Sequence, residues 1–235
     1  RHLGLATLLK RRGYRTGAFV SAYPVAGSFG FSEGFDEFSE GFHESVDPAA
    51  GGAERPANEA VDTALAWLRK ESDAPFFAWL HLYDPHTPYA PPEPWKSRYP
   101  EAPYNGEIAW TDSLVGRLLE YLDARGLRET TIVAVVGDHG EGLGEHGELD
   151  HGFFIYRSTS WVPFLLGAPS AGVHGRVVAT PVGQADVAPT LLELAGVTGG
   201  LDPGQGRSLV PLLAGAADPP GSLPRGYSEI FLPRL

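Results

Sequence analysis

A mainly parallel β-sheet sandwiched by helices, an α/β fold, is what this sequence predicts, and three features predict it. Short apolar runs alternate with longer stretches whose apolar residues recur every three or four positions. The stretch from Phe76 through Leu82 reads as a continuous apolar run, as in a strand covered on both faces. Two strand-like runs end in polar, chemistry-bearing residues, and open parallel sheets place their ligands at such carboxyl ends.

The elements follow in order. Leu3, Leu5, Leu8 and Leu9 fall on roughly one helical face, and Gly13 marks the stop. Residues 16–21 read as a short buried strand. Residues 24–58, rich in Gly, Pro, Phe and Glu without a period, read as a long surface excursion. Val61, Ala64, Leu65 and Leu68 give helical spacing over 59–71. A strand over 76–82 is followed by a Pro-rich loop from 85 to 103. A helix from about 107 to 125 is expected to bury Ile108, Leu114, Val115, Leu118 and Leu122. A strand over 131–136 runs into Gly137, Asp138 and His139, and a strand at 162–166 and a helix at 186–195 complete the pattern. No repeat at a fixed period is present. The loops beyond the strands at 76–82 and 131–136 are expected to converge.

The length, 235 residues, suits one large domain or a domain and a half. Twenty-nine acidic and 18 basic residues give a net charge of −11, which disfavours non-specific nucleic-acid binding. The absence of Cys removes disulfides, thiolate metal sites and Cys nucleophiles. No apolar segment is long enough to span a bilayer. The chain holds no Met and begins at Arg1, while residues 227–235 form an apolar, strand-like run, so a truncated chain is expected, cut at both ends.

Five of the eight His lie between positions 81 and 151: His81, His86, His139, His146 and His151. Asp84, Asp138, Glu141, Glu145, Glu148 and Asp150 share the window, and imidazole with carboxylate suits a divalent cation. Asp138 and His139, at the tip of an apolar strand, can both reach one ion if the backbone turns, which Gly140 and Gly142 permit. The plainer reading makes Asp138 a turn cap and His139 a solvated loop residue. His86, between Pro85 and Pro88, is held to donate a hydrogen bond to an anionic oxygen or leaving group, or else only braces the turn. His81 reads as a core histidine, and Glu145 and Glu148 as a solvated acidic loop. No Gly-x-Ser-x-Gly and no phosphate-cradling loop with Lys appears, so no nucleophile stands out.

In several blocks, in the same order, the string resembles the sulfatase family of the alkaline phosphatase superfamily. The blocks include Leu8-Leu9-Lys10-Arg11-Arg12-Gly13-Tyr14-Arg15-Thr16, Gly34-Phe35-Asp36, the stretch from Phe76 to Tyr89, and Gly137-Asp138-His139-Gly140-Glu141-Gly142-Leu143-Gly144-Glu145-His146-Gly147. Val162-Pro163, the stretch from Asp186 to Leu192 and Gly206-Arg207-Ser208-Leu209 extend it. The resemblance implies a partial sulfatase-like catalytic domain over 1–235 that hydrolyses sulfate esters with a divalent cation, Ca, Mn or Zn. The partner it implies is a small anionic ester. It implies metal binding by Asp138 and His139, contact of His86 with the transferred group or leaving oxygen, and contact of His151 with the same anion. The family's nucleophile motif and first acidic ligands are expected upstream of Arg1, so the isolated chain is expected to turn over little and to aggregate. Ser21 and Tyr23 stand where many members carry Lys and His, and Arg157 and Trp161 also depart from the pattern. These departures keep two alternatives open: a phosphoesterase, phosphonate-ester hydrolase or phosphotransferase on the same scaffold, and a non-catalytic module derived from it.

Overall fold

The structure, a computed structural model, describes residues 3–43, 54–152, 154–173, 175–201 and 206–216. The chain falls into two compact units, Arg1–Arg128 and Glu129–Leu235. The apolar run at 227–235 lies outside the described residues.

In the first unit, helix α1 (Leu5–Arg11) buries Ala6, Leu8 and Leu9, and Gly13 ends it at φ +84°, a conformation natural to glycine. Strand β1 (Arg15–Phe19) is the centre of a three-stranded parallel sheet of order β2-β1-β3. It pairs with β3 (Phe76–Leu80) from Arg15 opposite Phe76 to Phe19 opposite Leu80. Strand β2 (Glu37–Ser39) lies inside the stretch expected to be a surface excursion, which corrects that reading. Three residues are too few to show alternation, and β2 owes its pairing to its neighbours. Asp36 accepts the amide and hydroxyl of Thr16 at 2.9 and 3.0 Å, and Lys10 lies 2.6 Å away. Lys10 first, then the Thr16 amide, holds the Asp36 carboxyl below its usual range.

Helix α2 (Ala57–Leu68) starts two residues before the expected position, because the buried Ala57 and Ala60 extend its apolar face. It ends short of 71, where the Arg15 guanidinium donates to the carbonyls of Trp67 and Lys70 at 3.2 and 3.1 Å. The Trp67 carbonyl also accepts the Lys70 amide, at 3.2 Å. Phe19, Ala64 and Trp67 form one core cluster with Phe76, Ala78 and Leu80. On the opposite face of β3, Phe77 and Trp79 meet the ring of Phe35, with centroids 5.9 and 6.0 Å apart. The buried Arg55 ties β2 to α2, donating to the Ser39 hydroxyl at 3.1 Å, the Glu59 carbonyl at 2.9 Å and the Thr63 hydroxyl.

The Pro-rich stretch holds one helical turn, α3 (Trp95–Arg98), and leads into α4 (Pro103–Ala124). Pro103 lets α4 begin four residues early, since the first turn needs no N–H from it. Leu114 joins Ala57, Val61 and Leu65 in a second core cluster, with Leu118 packed against it. Ile108, expected in the core, is 43% exposed, and its neighbour Glu107 is buried instead.

In the second unit, β4 (Val133–Val136) pairs antiparallel with β5 (Phe164–Gly167), Val133 opposite Gly167. This two-stranded sheet is separate from the parallel sheet of the first unit and departs from the parallel arrangement expected. Among the described residues, the connection between β4 and β5 is irregular except for α5 (Arg157–Ser160). Helices α6 (Val187–Leu194) and α7 (Val210–Leu213) bury Leu192 and Leu212. No helix among the described residues is long and apolar enough to cross a membrane.

A Cβ on Gly17 would lie 2.9 Å from Cε2 and Cζ2 of Trp67. Gly17→Ala should therefore cost about 1–3 kcal/mol in urea unfolding. Trp67→Phe should cost less in the Gly17→Ala background than alone, and strictly additive losses would refute this close approach.

Candidate active site

The ladder of β3 ends where the His81 amide donates to the Phe19 carbonyl at 3.0 Å. His86 follows in the loop, stacked on Tyr83 with ring centroids 4.1 Å apart. Its Nδ1 lies 2.7 Å from the Thr87 carbonyl, which can only accept, so Nδ1 carries the proton. Nε2 therefore takes the Tyr83 hydroxyl, at 3.2 Å. Donation to an anionic oxygen from Nε2 requires a second proton on the ring and a turn of the Tyr83 hydroxyl.

Glu107, 2% exposed, fixes this loop from α4. Its Oε2 accepts the His86 amide at 3.2 Å and its Oε1 accepts the Ala90 amide at 2.6 Å. Burial pushes its carboxyl up to about 7 against the pull of the Ala90 amide, and the nearby Asp84 adds to the rise. Asp84 itself is raised to about 6, chiefly by burial, although the Ala57 amide favours its charged form. Sequence reasoning missed Glu107 because its partners are 17 and 21 residues away and its own helix gives no local sign of burial.

Ser21 is fully buried and its hydroxyl has no hydrogen-bond partner, so it cannot replace a substrate-contacting Lys. Tyr23 is exposed and packs on Phe29 and Phe42, with centroids at 5.3 and 6.4 Å.

In the second unit, Asp138 and His139 follow β4. The His139 amide donates to Asp138 Oδ1 at 3.0 Å. The Gly140 carbonyl accepts from His139 Nδ1 at 2.9 Å, which fixes the proton there and leaves the lone pair on Nε2. Nε2 stands 3.9 Å from Asp138 Oδ2, and the two side chains are 44% and 72% exposed. Two ligands on one ion at roughly 2.0–2.5 Å are separated by about 3–4 Å, so this donor set fits a divalent cation. Gly140 and Gly142 serve close packing rather than an unusual φ. A Cβ at Gly140 would collide with the Ser158 carbonyl, and one at Gly142 with those of Asp150 and Glu148.

The ring of His151 stacks on that of His139 at 4.0 Å. Its Nδ1 lies 3.0 Å from both Glu141 Oε1 and Asp150 Oδ1. Glu141, Asp150 and His151 also offer one ligand atom each within 4.8 Å of one another, a second donor set that the sequence did not single out. Glu141 is buried. Glu148, expected in a solvated loop, is buried too and accepts the Phe154 amide at 3.2 Å, because the loop folds back on itself through the Gly144 amide and the Glu148 carbonyl. Glu145 stays at the surface and accepts the Leu143 amide at 2.9 Å. His146 stacks on Tyr156 at 4.1 Å.

The raised values of Glu107 and Asp84 mean that folding favours their protonated forms. Their stabilising contribution is present below about pH 4 and is lost as pH rises toward 7. Glu107→Gln, held in the neutral shape, should flatten this dependence. Between pH 5 and 8 the wild type should lose on the order of 2–3 kcal/mol more than the variant in thermal unfolding. Parallel curves would show that ionising Glu107 carries no such cost.

Comparison with known proteins agrees with the resemblance. The family model described as Sulfatase matches residues 1–197. The chain is 34% identical to the steryl-sulfatase of Rattus norvegicus over 175 residues, covering 69% of this chain and 30% of that protein. It is 35% identical to an N-acetylglucosamine-6-O-sulfatase of Bacteroides thetaiotaomicron over 119 residues, 51% of this chain and 21% of that protein. It thus spans under a third of the length of these relatives. In fold it is similar to a phosphonate monoester hydrolase from Silicibacter pomeroyi, with TM-score 0.70 and 20% identity over 94% of this chain and 63% of the other. It is also similar to an alkaline phosphatase superfamily protein from Vibrio parahaemolyticus, with TM-score 0.65 and 22% identity over 88% and 50% of the two chains. The match over 1–197, with relatives at 34–35% identity, places the chain in the sulfatase family.

Proposed function

We propose that this chain, a partial catalytic domain over 1–235, carries the cation-binding and anion-facing part of a metal-dependent sulfate-ester hydrolase. The family match running through both units supports the single domain. The observation that carries the reading is the Asp138–His139 pair, whose Oδ2 and Nε2 stand at a spacing one divalent ion can bridge. A bound Ca, Mn or Zn would polarise the ester and offset the charge that develops on its oxygens. Asp138 and His139 hold that charge in place. His86 is assigned the contact to the leaving oxygen, and with Nδ1 on the Thr87 carbonyl that contact runs through Nε2. His151, whose Nδ1 faces two carboxylates, addresses the anion through Nε2 as well.

The alternative is cleavage of a phosphate or phosphonate ester. The similarity to a phosphonate monoester hydrolase is one of fold. The relatives matched at 34–35% identity are sulfatases by name, which favours sulfate. Charge points the same way: a phosphate monoester is largely a dianion at neutral pH, a sulfate ester a monoanion. Glu141 and Asp150 would offset even a fully charged His151.

The intact protein, supplied with Mn, Ca or Zn, should hydrolyse an aryl sulfate faster than the matching aryl phosphate and lose the activity on chelation. Asp138→Asn should abolish the metal-dependent activity, and His86→Gln should lower kcat by about 10²–10⁴-fold. Activity that survives chelation, or a fully active Asp138→Asn protein, would sink the proposal; faster cleavage of the phosphate would shift it to the alternative.

A further inference from the structure

Gln184 opens the 3-10 turn Gln184–Asp186 ahead of α6, more than forty residues from the tip of β4. Its Nε2 lies 2.8 Å from the carbonyl oxygen of Gly137 and 2.5 Å from that of Asp138. Both carbonyls can only accept, so the nitrogen of the side-chain amide must face them, and its two hydrogens serve one each. These carbonyls belong to the two peptide planes on either side of the Asp138 Cα. Holding both planes fixes φ and ψ at Asp138, and with them the direction of its side chain. The second plane also carries the His139 amide, which donates to Asp138 Oδ1. We propose that Gln184 is a positioning residue for the Asp138–His139 pair, acting through the backbone on either side of Asp138; the inference rests on the reading of that pair as a cation site.

Gln184 stands on a firm base. Asp186, buried two residues on, accepts the Gly183 amide on Oδ2 at 3.0 Å and the Arg207 amide on Oδ1 at 2.8 Å. The Thr190 hydroxyl donates to the Asp186 carbonyl at 2.6 Å and accepts the Leu209 amide at 2.9 Å. The exposed amide thus projects from a turn whose own geometry is set by buried hydrogen bonds. Its neutrality matters: Lys or Arg could donate to the same carbonyls but would add a positive charge beside a cation site. Glutamine satisfies them without that repulsion.

The test uses Mn(II) alone, titrated into the intact protein. Gln184→Met keeps the length and neutrality of the side chain and removes the donors; Gln184→Asn keeps the amide and loses the reach. Both should weaken Mn(II) binding by about 10–100-fold, the usual effect of removing a partner that orients metal ligands. Their melting temperatures without metal should move by about 2 °C or less, because the side chain is at the surface. Binding that is lost in Asp138→Asn yet within twofold of wild type in Gln184→Met would overturn the positioning role and leave the cation site standing. If the wild type fails to bind Mn(II), or Asp138→Asn binds it normally, the proposed function fails instead. Hydrogen exchange of the His139 amide without metal then decides: at least tenfold faster exchange in Gln184→Met upholds the positioning role, and unchanged exchange ends it.

Discussion

Where a strand stops, its ladder stops with it, and the next peptide groups must find partners elsewhere or keep water. Both loops that carry reactive side chains face this requirement, and each meets it with one side chain from a distant helix or turn. Beyond β3 the exposed groups are amide donors, at His86 and Ala90, and the carboxylate of Glu107 accepts them both. Beyond β4 they are carbonyls, at Gly137 and Asp138, and the amide of Gln184 donates to them both. The chemistry of the clamp is the complement of the backbone it holds. A two-pronged group is needed in each case, because one hydrogen bond leaves a peptide plane free to swing about it.

The same backbone then fixes the imidazoles. His86 and His139 each place Nδ1 on a nearby carbonyl, of Thr87 and Gly140, so each keeps its lone pair on Nε2, which in His86 accepts the Tyr83 hydroxyl. A neutral imidazole in that tautomer is a metal ligand or a proton acceptor, and it becomes a donor only on gaining a proton. His151 differs because carboxylates, not carbonyls, face its Nδ1. One residue type thereby acquires different capacities from the groups behind it, and the stack of His139 on His151 brings two of them side by side.

Much of this was legible in the sequence where a pattern was local. The alternation of β1, α2, β3 and α4 showed in apolar spacing, and Asp138-His139 stood out at the end of an apolar strand. What was not legible depended on partners far along the chain. Strand β2 is three residues long and is a strand only because β1 lies beside it. Ile108 lost its expected burial to Glu107, whose carboxylate has two loop amides to satisfy, which no helical period reveals. Gln184 sits in a polar turn that carries no motif, and its role appears only once the β4 tip is placed against it. The antiparallel pairing of β4 with β5 was hidden for a similar reason, since an apolar run does not state the direction of its neighbour.

The charge of the second loop favours the proposed cation. From Asp138 to His151 the sequence has five carboxylates, at 138, 141, 145, 148 and 150, and neither Lys nor Arg. Glu141 and Glu148 are buried, so water screens them poorly and each adds to the electrostatic cost of the others. Backbone amides relieve part of that cost, at Phe154 for Glu148 and at His151 for Asp150. Amide dipoles distribute around a carboxylate but do not neutralise it, and the imidazoles here are shared among several acids. A divalent ion between Asp138 and His139 would supply two positive charges to a segment that has no other fixed cation, and would do so at the residues that Gln184 holds still. The proposed cation would therefore complement a loop whose carboxylates outnumber its imidazoles.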